Sequence, residues 1–322
     1  MNDLLIKNPV LLVGIGGAGS KIAKSTSTVV GCKSLLISNE KRDLTDSDMS
    51  VLVDSGAWVN PSSYKLRSFA VLHQEEIVSS MRNFSTIIVI SNLAGRSGTA
   101  LAPVVCKLAK QLNASVITVA IMPFKFEKDR LFNAGTTLRR IRETSDSVIV
   151  MDNDAFLESN PELSQEECYA LTNNAISEVI SSISRGGIRP EINVLCTSKS
   201  GSSSESSLRD SVAMLYQDVP DVASIKRAMV YVMGGDRVPV GDLDKIVGSM
   251  HGMFKEDGTT EVALSSVGSA DGVRVHLVAS APQKTRFDRY DPLGDIIPSE
   301  NILDWDEPDS APDIELAIPS ME

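Results

Sequence analysis

The chain is poor in the residues that staple small folds. Cys32, Cys106, Cys168 and Cys196 are its only cysteines, and none forms a Cys-x-x-Cys pair. That argues against a disulfide framework or a zinc site and fits a reducing cytoplasm. The three histidines, His73, His251 and His276, lie far apart in sequence. Each therefore reads as a surface or structural residue rather than a metal ligand. No apolar run approaches the roughly 18 residues that a membrane span needs. The first residues, Met1 to Lys7, show no basic start, apolar block or cleavage site, so no secretory leader is expected. There is no basic stripe either. The net charge is −11, and nucleic acid is not an expected partner. The acids are concentrated: residues 291–322 hold ten of them with no Lys or Arg, which leaves the rest of the chain close to neutral.

What is present is organised around residues 86–105. Thr86 to Ile90 reads as a buried strand, Ser91 to Thr99 as a loop of small residues, and Ala102-Pro103-Val104-Val105 as the start of a helix with proline in its first turn. A strand, a small-residue loop and a helix N-terminus make an anion cradle, because free N–H groups and the helix dipole both favour negative charge. An earlier stretch repeats the design. Val10 to Val13 is followed by Gly14-Ile15-Gly16-Gly17-Ala18-Gly19-Ser20 and a helix from about Lys21. Two such loops in one open sheet suggest a nucleotide held from two sides.

Further strands are expected over Ser34–Asn39, Ser115–Ile121 and Ser147–Met151, with helices over about 74–83 and 128–143. This alternation marks a parallel α/β sheet with ligands at the strand C-termini. Leu171, Ala175, Ile176, Val179, Ile180 and Ile183 recur at helical spacing within 165–184, a rod between two domains. Beyond it, strands over 192–195, 228–233, 260–267 and 272–280 and helices over 208–217 and 241–253 suggest a second α+β domain. From Gln283 the prolines and acids argue for a disordered tail. The expected divisions are 1–164 (nucleotide-binding), 165–187 (connecting helix), 188–282 (second domain) and 283–322 (tail).

On spacing alone the first loop is ambiguous. Gly14-x-Gly16-x-x-Gly19 fits a dinucleotide fingerprint, and Glu40 stands about where that fingerprint puts its ribose carboxylate. A dehydrogenase would also need a catalytic pair near a nicotinamide, and the first half of the chain offers no His or Tyr/Lys arrangement for one. Several motifs in order point elsewhere. The first glycine loop, Ser38-Asn39, Gly98-Thr99-x-x-Ala102-Pro103-Val104-Val105, Pro123-Phe124-x-Phe126-Glu127 with Arg130, and Val148-Ile149-Val150-x-x-Asn153-Asp154 resemble the landmarks of the FtsZ/tubulin superfamily, and FtsZ-like division proteins in particular. Gly234-Gly235-Asp236 and Val273 to Ala279 add two more.

The resemblance implies a GTPase-type parallel-sheet domain, a long central helix, a second α+β domain, and GTP or GDP as ligand, with room for magnesium. It implies Gly16, Gly17, Ala18, Gly19, Ser20, Lys21, Asn39, Gly95, Arg96, Ser97, Gly98, Thr99, Glu127, Arg130 and Asn174 as nucleotide contacts. It implies self-association into head-to-tail filaments in the cytoplasm, for cell division or cell shape, with an active FtsZ paralogue as a co-assembling partner. In that family a loop after the central helix brings carboxylates to the neighbouring subunit's nucleotide and activates water. Here that loop aligns with Asn193 to Ser198, where Leu195 and Ser198 replace both acids, so weak or absent hydrolysis is expected. The second loop reads Ala94-Gly95-Arg96-Ser97-Gly98-Thr99-Ala100, with three glycines lost. Arg96 either clamps phosphate, faces solvent or fills the phosphate space, the last being the case of a nucleotide-free relative. In the tail, Ile302-Leu303-x-Trp305 and Ile314-x-Leu316-x-Ile318-Pro319 are candidate docking peptides for a membrane anchor or division protein.

Overall fold

Runs of residues buried on both faces make the strands, as a parallel sheet covered by helices on either side requires. The computed structural model describes residues 3–45, 47, 49–56, 58, 60–184, 187–199, 203–225, 227–234, 238–251, 259–265, 272–281 and 285–291. The elements run β1 (Leu4–Leu5), β2 (Val10–Ile15), α1 (Gly16–Val30), β3 (Lys33–Ser38), β4 (Ser50–Leu52), α2 (Ser63–Leu72), α3 (Gln74–Met81), β5 (Thr86–Asn92), α4 (Arg96–Gln111), β6 (Ser115–Met122) and α5 (Lys128–Thr144). They continue with β7 (Ser147–Asp152), α6 (Asn153–Ser159), α7 (Gln165–Ile183), β8 (Gly187–Ile188), β9 (Ile192–Thr197), α8 (Ser204–Asp218), β10 (Arg227–Met233), α9 (Val240–His251), β11 (Thr259–Ser265) and β12 (Arg274–Ser280).

Ten strands form one sheet in the order β11-β10-β12-β9-β7-β6-β5-β2-β3-β4. From β4 to β9 every pairing is parallel; β12 lies antiparallel between β9 and β10. The expected second domain therefore continues the first sheet through the β7–β9 pairing, with Val148 opposite Ile192. The central helix falls where its periodicity put it, and Ser164 and Glu167 close its start as a capping box. Glu178 ties this helix to the far half of the sheet. Its carboxylate accepts from Arg274 at 2.6 Å and meets His276 Nε2 at 2.6 Å, while His276 Nδ1 meets Thr197 Oγ1 at 2.8 Å. His276 is fully buried and structural, as expected.

Three expectations need correction. Helix α1 begins at Gly16, not near Lys21, because Gly16 takes a φ of +67° and turns the chain straight from strand to helix. Helix α4 begins at Arg96, where Thr99 N already bonds Gly95 O at 2.9 Å, so Pro103 stands inside the helix rather than in its first turn. The tail does not begin at Gln283 as a disordered segment throughout. Arg286–Tyr290 forms a 3-10 turn packed against α5, where Tyr290 lies on Gly135 and Phe287 is buried. Both docking-peptide candidates lie outside the described residues.

That turn carries the most unusual electrostatics in the fold. Arg286 enters a pocket of four acids. It donates to Asp152, stands 3.1 Å from Asp218 Oδ1, and lies 3.6 Å from both Asp154 and Glu158. Asp152 and Asp218 are fully buried, and burial raises both carboxyls above their usual range, Asp218 the more strongly. One arginine thus holds β7 and α6 to α8. Removing it leaves buried acids uncompensated, so Arg286→Met is expected to cost about 3–5 kcal/mol in urea denaturation. A raised acid binds more protons folded than unfolded, so its contribution to stability falls as pH rises through the folded pKa and is fullest in the acid range. Urea midpoints measured across pH are expected to show that slope in the wild type and a shallower one in Asp218→Asn.

Candidate functional site

The strand order fixes the place. After β2 the chain adds β3 on one side, and later β5 on the other, so β2 and β5 are neighbours whose following helices leave in different directions. Ligands of open α/β sheets sit in the crevice at such a switch point, outside the strand C-termini. The turns that leave β2 and β5 are the two small-residue loops.

They meet. A β-carbon on Gly16 would stand 3.1 Å from Ser97 Cβ, so the start of α1 touches the start of α4. Ser97 Oγ donates to Asn39 Oδ1 at 2.6 Å, which draws the end of β3 into the junction. Gly98 has no room for a side chain, since a β-carbon there would strike the carbonyl oxygen of Asn92. Thr99 serves the loop itself: its hydroxyl donates to Leu93 O and Gly95 O, each at 2.9 Å. Ser20 and Gly19 are buried behind the first loop, while Gly17 and Ala18 are half-buried and Lys21 is exposed. Gly95 is the N-cap residue of α4.

Arg96 neither fills the junction nor faces solvent alone. Ser97 is the side chain against Gly16, and Arg96 Nη2 donates to Asn60 Oδ1 at 2.9 Å. A cleft of about 470 Å³ opens there, lined among others by Asn39, Glu40, Arg42, Trp58, Asn60 and Arg96. Glu40, the candidate ribose acid of the dinucleotide reading, pairs with Arg42 at 2.5 Å.

Glu127 and Arg130 come together as a pair at 2.7 Å at the start of α5. Their loop is anchored by Phe124, which stacks on Phe126 at 5.0 Å and meets Tyr169 of α7 at 5.4 Å. Lys125 N donates to Asp154 Oδ1 at 2.9 Å, tying the same loop to α6. Asn174 is exposed on α7, one turn before Ser177, whose hydroxyl receives a 2.8 Å bond from Thr26 of α1. Two polar residues near the site were not singled out as contacts. Asn153 opens α6 with a buried Oδ1 that has no partner among the described residues. Asp43 lies beside Gly17, where a β-carbon would stand 2.9 Å from its Oδ1. Asp43 sits in a polar stretch with no strand or helix signal of its own, so only the fold reveals it.

The segment aligned with the family's catalytic loop, Asn193 to Ser198, is not a loop in this structure. Ile192–Thr197 is strand β9, buried at every position and paired on both sides, and Ser198 is buried after it. Asn193 Nδ2 donates to Ser147 Oγ at 3.1 Å and to Glu191 O at 3.0 Å, a structural set. The connection from α7 to β9 is residues 184–191, whose only acid, Glu191, accepts from Ser280 Oγ at 2.9 Å.

With this geometry in place, comparison with known proteins finds a match of residues 9–161 to the GTPase domain of the Tubulin/FtsZ family. Beyond that match the chain is similar to FtsZ proteins at modest identity. It is 28% identical over 193 residues to cell division protein FtsZ 2 of Halobacterium salinarum, covering 57% of this chain and 49% of that protein. It is 25% identical over 287 residues to FtsZ 1 of the same organism, covering 80% and 72%. The chain thus spans about half the length of the curated relatives it matches first. Among solved structures, an empty FtsZ dimer of M. jannaschii superposes with a TM-score of 0.72 at 22% identity, over 86% of this chain and 89% of that one. A GTPγS-bound CetZ2 protofilament subunit of Haloferax volcanii gives 0.65 at 21%, over 88% and 97%. These two establish the fold. The match to the GTPase domain takes in the first glycine loop, Gly14 to Ser20. Among the described residues no helix is long and apolar enough to cross a membrane.

Gly16 is the sharpest local test. An alanine there takes a left-handed conformation and presses its β-carbon on Ser97, so Gly16→Ala is expected to lower stability by about 1–2 kcal/mol. Differential scanning calorimetry checks it. The control Ala18→Ser, at a half-buried position, is expected to unfold close to wild type.

Proposed function

We propose that the protein is a GTP-binding cytoskeletal subunit that assembles head to tail and hydrolyses its nucleotide slowly or not at all. One observation carries the binding reading: the turns after β2 and β5 touch at the switch point, Gly16 against Ser97, with two helix N-termini opening on one crevice. The family supports guanosine nucleotides as the ligand, with Glu127 and Arg130 at the ribose side and Asn174 toward the base. Magnesium would accompany the phosphates, although no set of three His, Cys, Asp or Glu residues able to hold a metal occurs among the described residues. Self-association is supported by the fold shared with a neighbour solved as a protofilament. Weak hydrolysis is supported by β9, which occupies the place of the aligned loop with Leu195 and Cys196 in its interior. A role in division, alongside an active FtsZ relative, follows from the names of the relatives, and a position at the division site with it.

A second reading has its own observation. The junction is already bridged internally, Ser97 to Asn39 and Arg96 to Asn60. A nucleotide-free member that assembles through its surfaces alone would look the same.

Titration calorimetry with GTP, chromatography of nucleotide extracted from purified protein, and sedimentation with and without GTP separate the two. Binding, and pelleting that depends on GTP, are expected. Phosphate release from pure protein is expected to lie at least about 100-fold below that of an active division GTPase, the scale of losing a positioned water-activating group. Release at a comparable rate would end the slow-hydrolysis reading. Extracts free of nucleotide, with no heat of GTP binding, would leave only the second reading.

A further inference from the structure

The 3-10 turn Lys41–Leu44 after β3 brings Asp43 back to the first turn of α1. Gly17 has no side chain, and the Asp43 carboxyl takes the space beside it. A β-carbon on Gly17 would stand 2.9 Å from Oδ1 and 3.4 Å from the carboxyl carbon. The other oxygen, Oδ2, accepts a 2.7 Å bond from Ser38 Oγ, which is fully buried. The carboxylate is thus held in place by a neutral donor. Among the described residues no lysine or arginine pairs with it, since the adjacent Arg42 is engaged by Glu40, and Arg96 by Asn60.

The other partner is the helix. Helix α1 has no acid in its first turn and no side-chain cap at its N-terminus. Its positive end therefore stays available to an outside anion. Asp43, arriving from another element, sets a fixed negative charge beside that end. A phosphate arriving at the first glycine loop meets the helix dipole and this carboxylate together.

We propose that Asp43 is a charge filter, a specificity-determining residue that weakens a ligand in proportion to its phosphate charge. The inference rests on the nucleotide reading above. The effect is electrostatic, so it grows from monophosphate to triphosphate and shrinks with salt. Arg96, at the start of α4, carries the opposite charge and acts in the opposite sense.

The test uses the full chain and three proteins: wild type, Asp43→Asn, which keeps the shape and removes the charge, and Asp43→Glu, which keeps the charge. All three are first checked for wild-type circular dichroism and unfolding temperature. Calorimetric titrations with GMP, GDP and GTP are run at low and high salt in chelator. Asp43→Asn is expected to bind GTP about tenfold tighter than wild type, with a smaller gain for GDP, little for GMP, and a reduced gain at high salt. Asp43→Glu is expected to keep the wild-type ranking. Inorganic tripolyphosphate is the second probe, read as the rise in unfolding temperature, and is expected to stabilise Asp43→Asn more than wild type. Equal affinities in wild type and Asp43→Asn overturn the filter. So does weaker binding by Asp43→Asn, which would mean that the carboxylate serves the ligand through a cation. If tripolyphosphate separates the two proteins while no guanosine nucleotide binds either, the filter holds and the nucleotide reading fails. If neither probe binds either protein, both fail.

Discussion

The adjacency of β2 and β5 is the constraint on which the site depends. Each strand ends in a turn that opens a helix, and parallel pairing places both turns at the same height, with Ile15 opposite Ser91. Two positive helix ends are thereby forced into one crevice, which is unfavourable unless anions or acceptors meet them. The tightness of the meeting explains which glycines matter. Gly16 is needed for its backbone angle and Gly98 for the carbonyl it abuts, whereas Ala94 and Ala100, which replace family glycines, stand at positions where the chain turns or packs without difficulty. The loss of glycines in the second loop is therefore compatible with an intact junction.

A second set of polar contacts is organised at the end of β7. Asp152, Asn153 and Asp154 are consecutive and face different tasks. Asp152 carries Arg286, Asn153 starts α6, and Asp154 accepts from Lys125 N in the loop that leads to Glu127 and Arg130. The turn at 286–290 therefore supports the contact between α6 and α8 and, through the neighbouring Asp154, the loop before α5. Glu178 acts similarly from the central helix, engaging Arg274 and His276 of β12. These buried charges do not lie in the site, yet they fix the elements that carry its loops.

Most of the architecture could be read from the chain, because parallel strands announce themselves as unbroken apolar runs and α7 as a helical stripe. The two loops were legible for the same reason: Gly and Ser between a strand and a helix have few other uses. What could not be read depends on distances between segments. Asp43 follows β3 in a polar stretch, and nothing local marks its contact with Gly17. Arg286 looks like one basic residue near an acidic tail until the fold closes four acids around it. The helix starts at Gly16 and Arg96 were missed because glycine and serine lower helix propensity, while a close strand-to-helix turn overrides it. A strand was expected over 192–195 and β9 is found over Ile192–Thr197; the misjudgement was to lay a loop motif over the same residues, because burial between two neighbours is a property of the sheet.

That misjudgement bears on chemistry more than on fold. Within a strand, sliding the alignment by one residue reverses every side chain, which raises the question whether a shift recovers a lost carboxylate. It does not. The nearest acids are Glu191 before β9 and Glu205 after it. Glu191 accepts from Ser280 at the sheet, and Glu205 lies in the first turn of α8, facing Arg209 at 3.8 Å. Glu191 closes the connection from α7 to β9, residues 184–191, with its carboxylate held at the sheet, and Glu205 lies beyond β9. The two small-residue turns thus meet outside the sheet, while the segment aligned with the family's loop is built into the sheet core. That contrast, an open crevice at one end of the chain's first strands and a closed strand after α7, is what the reading of slow hydrolysis rests on.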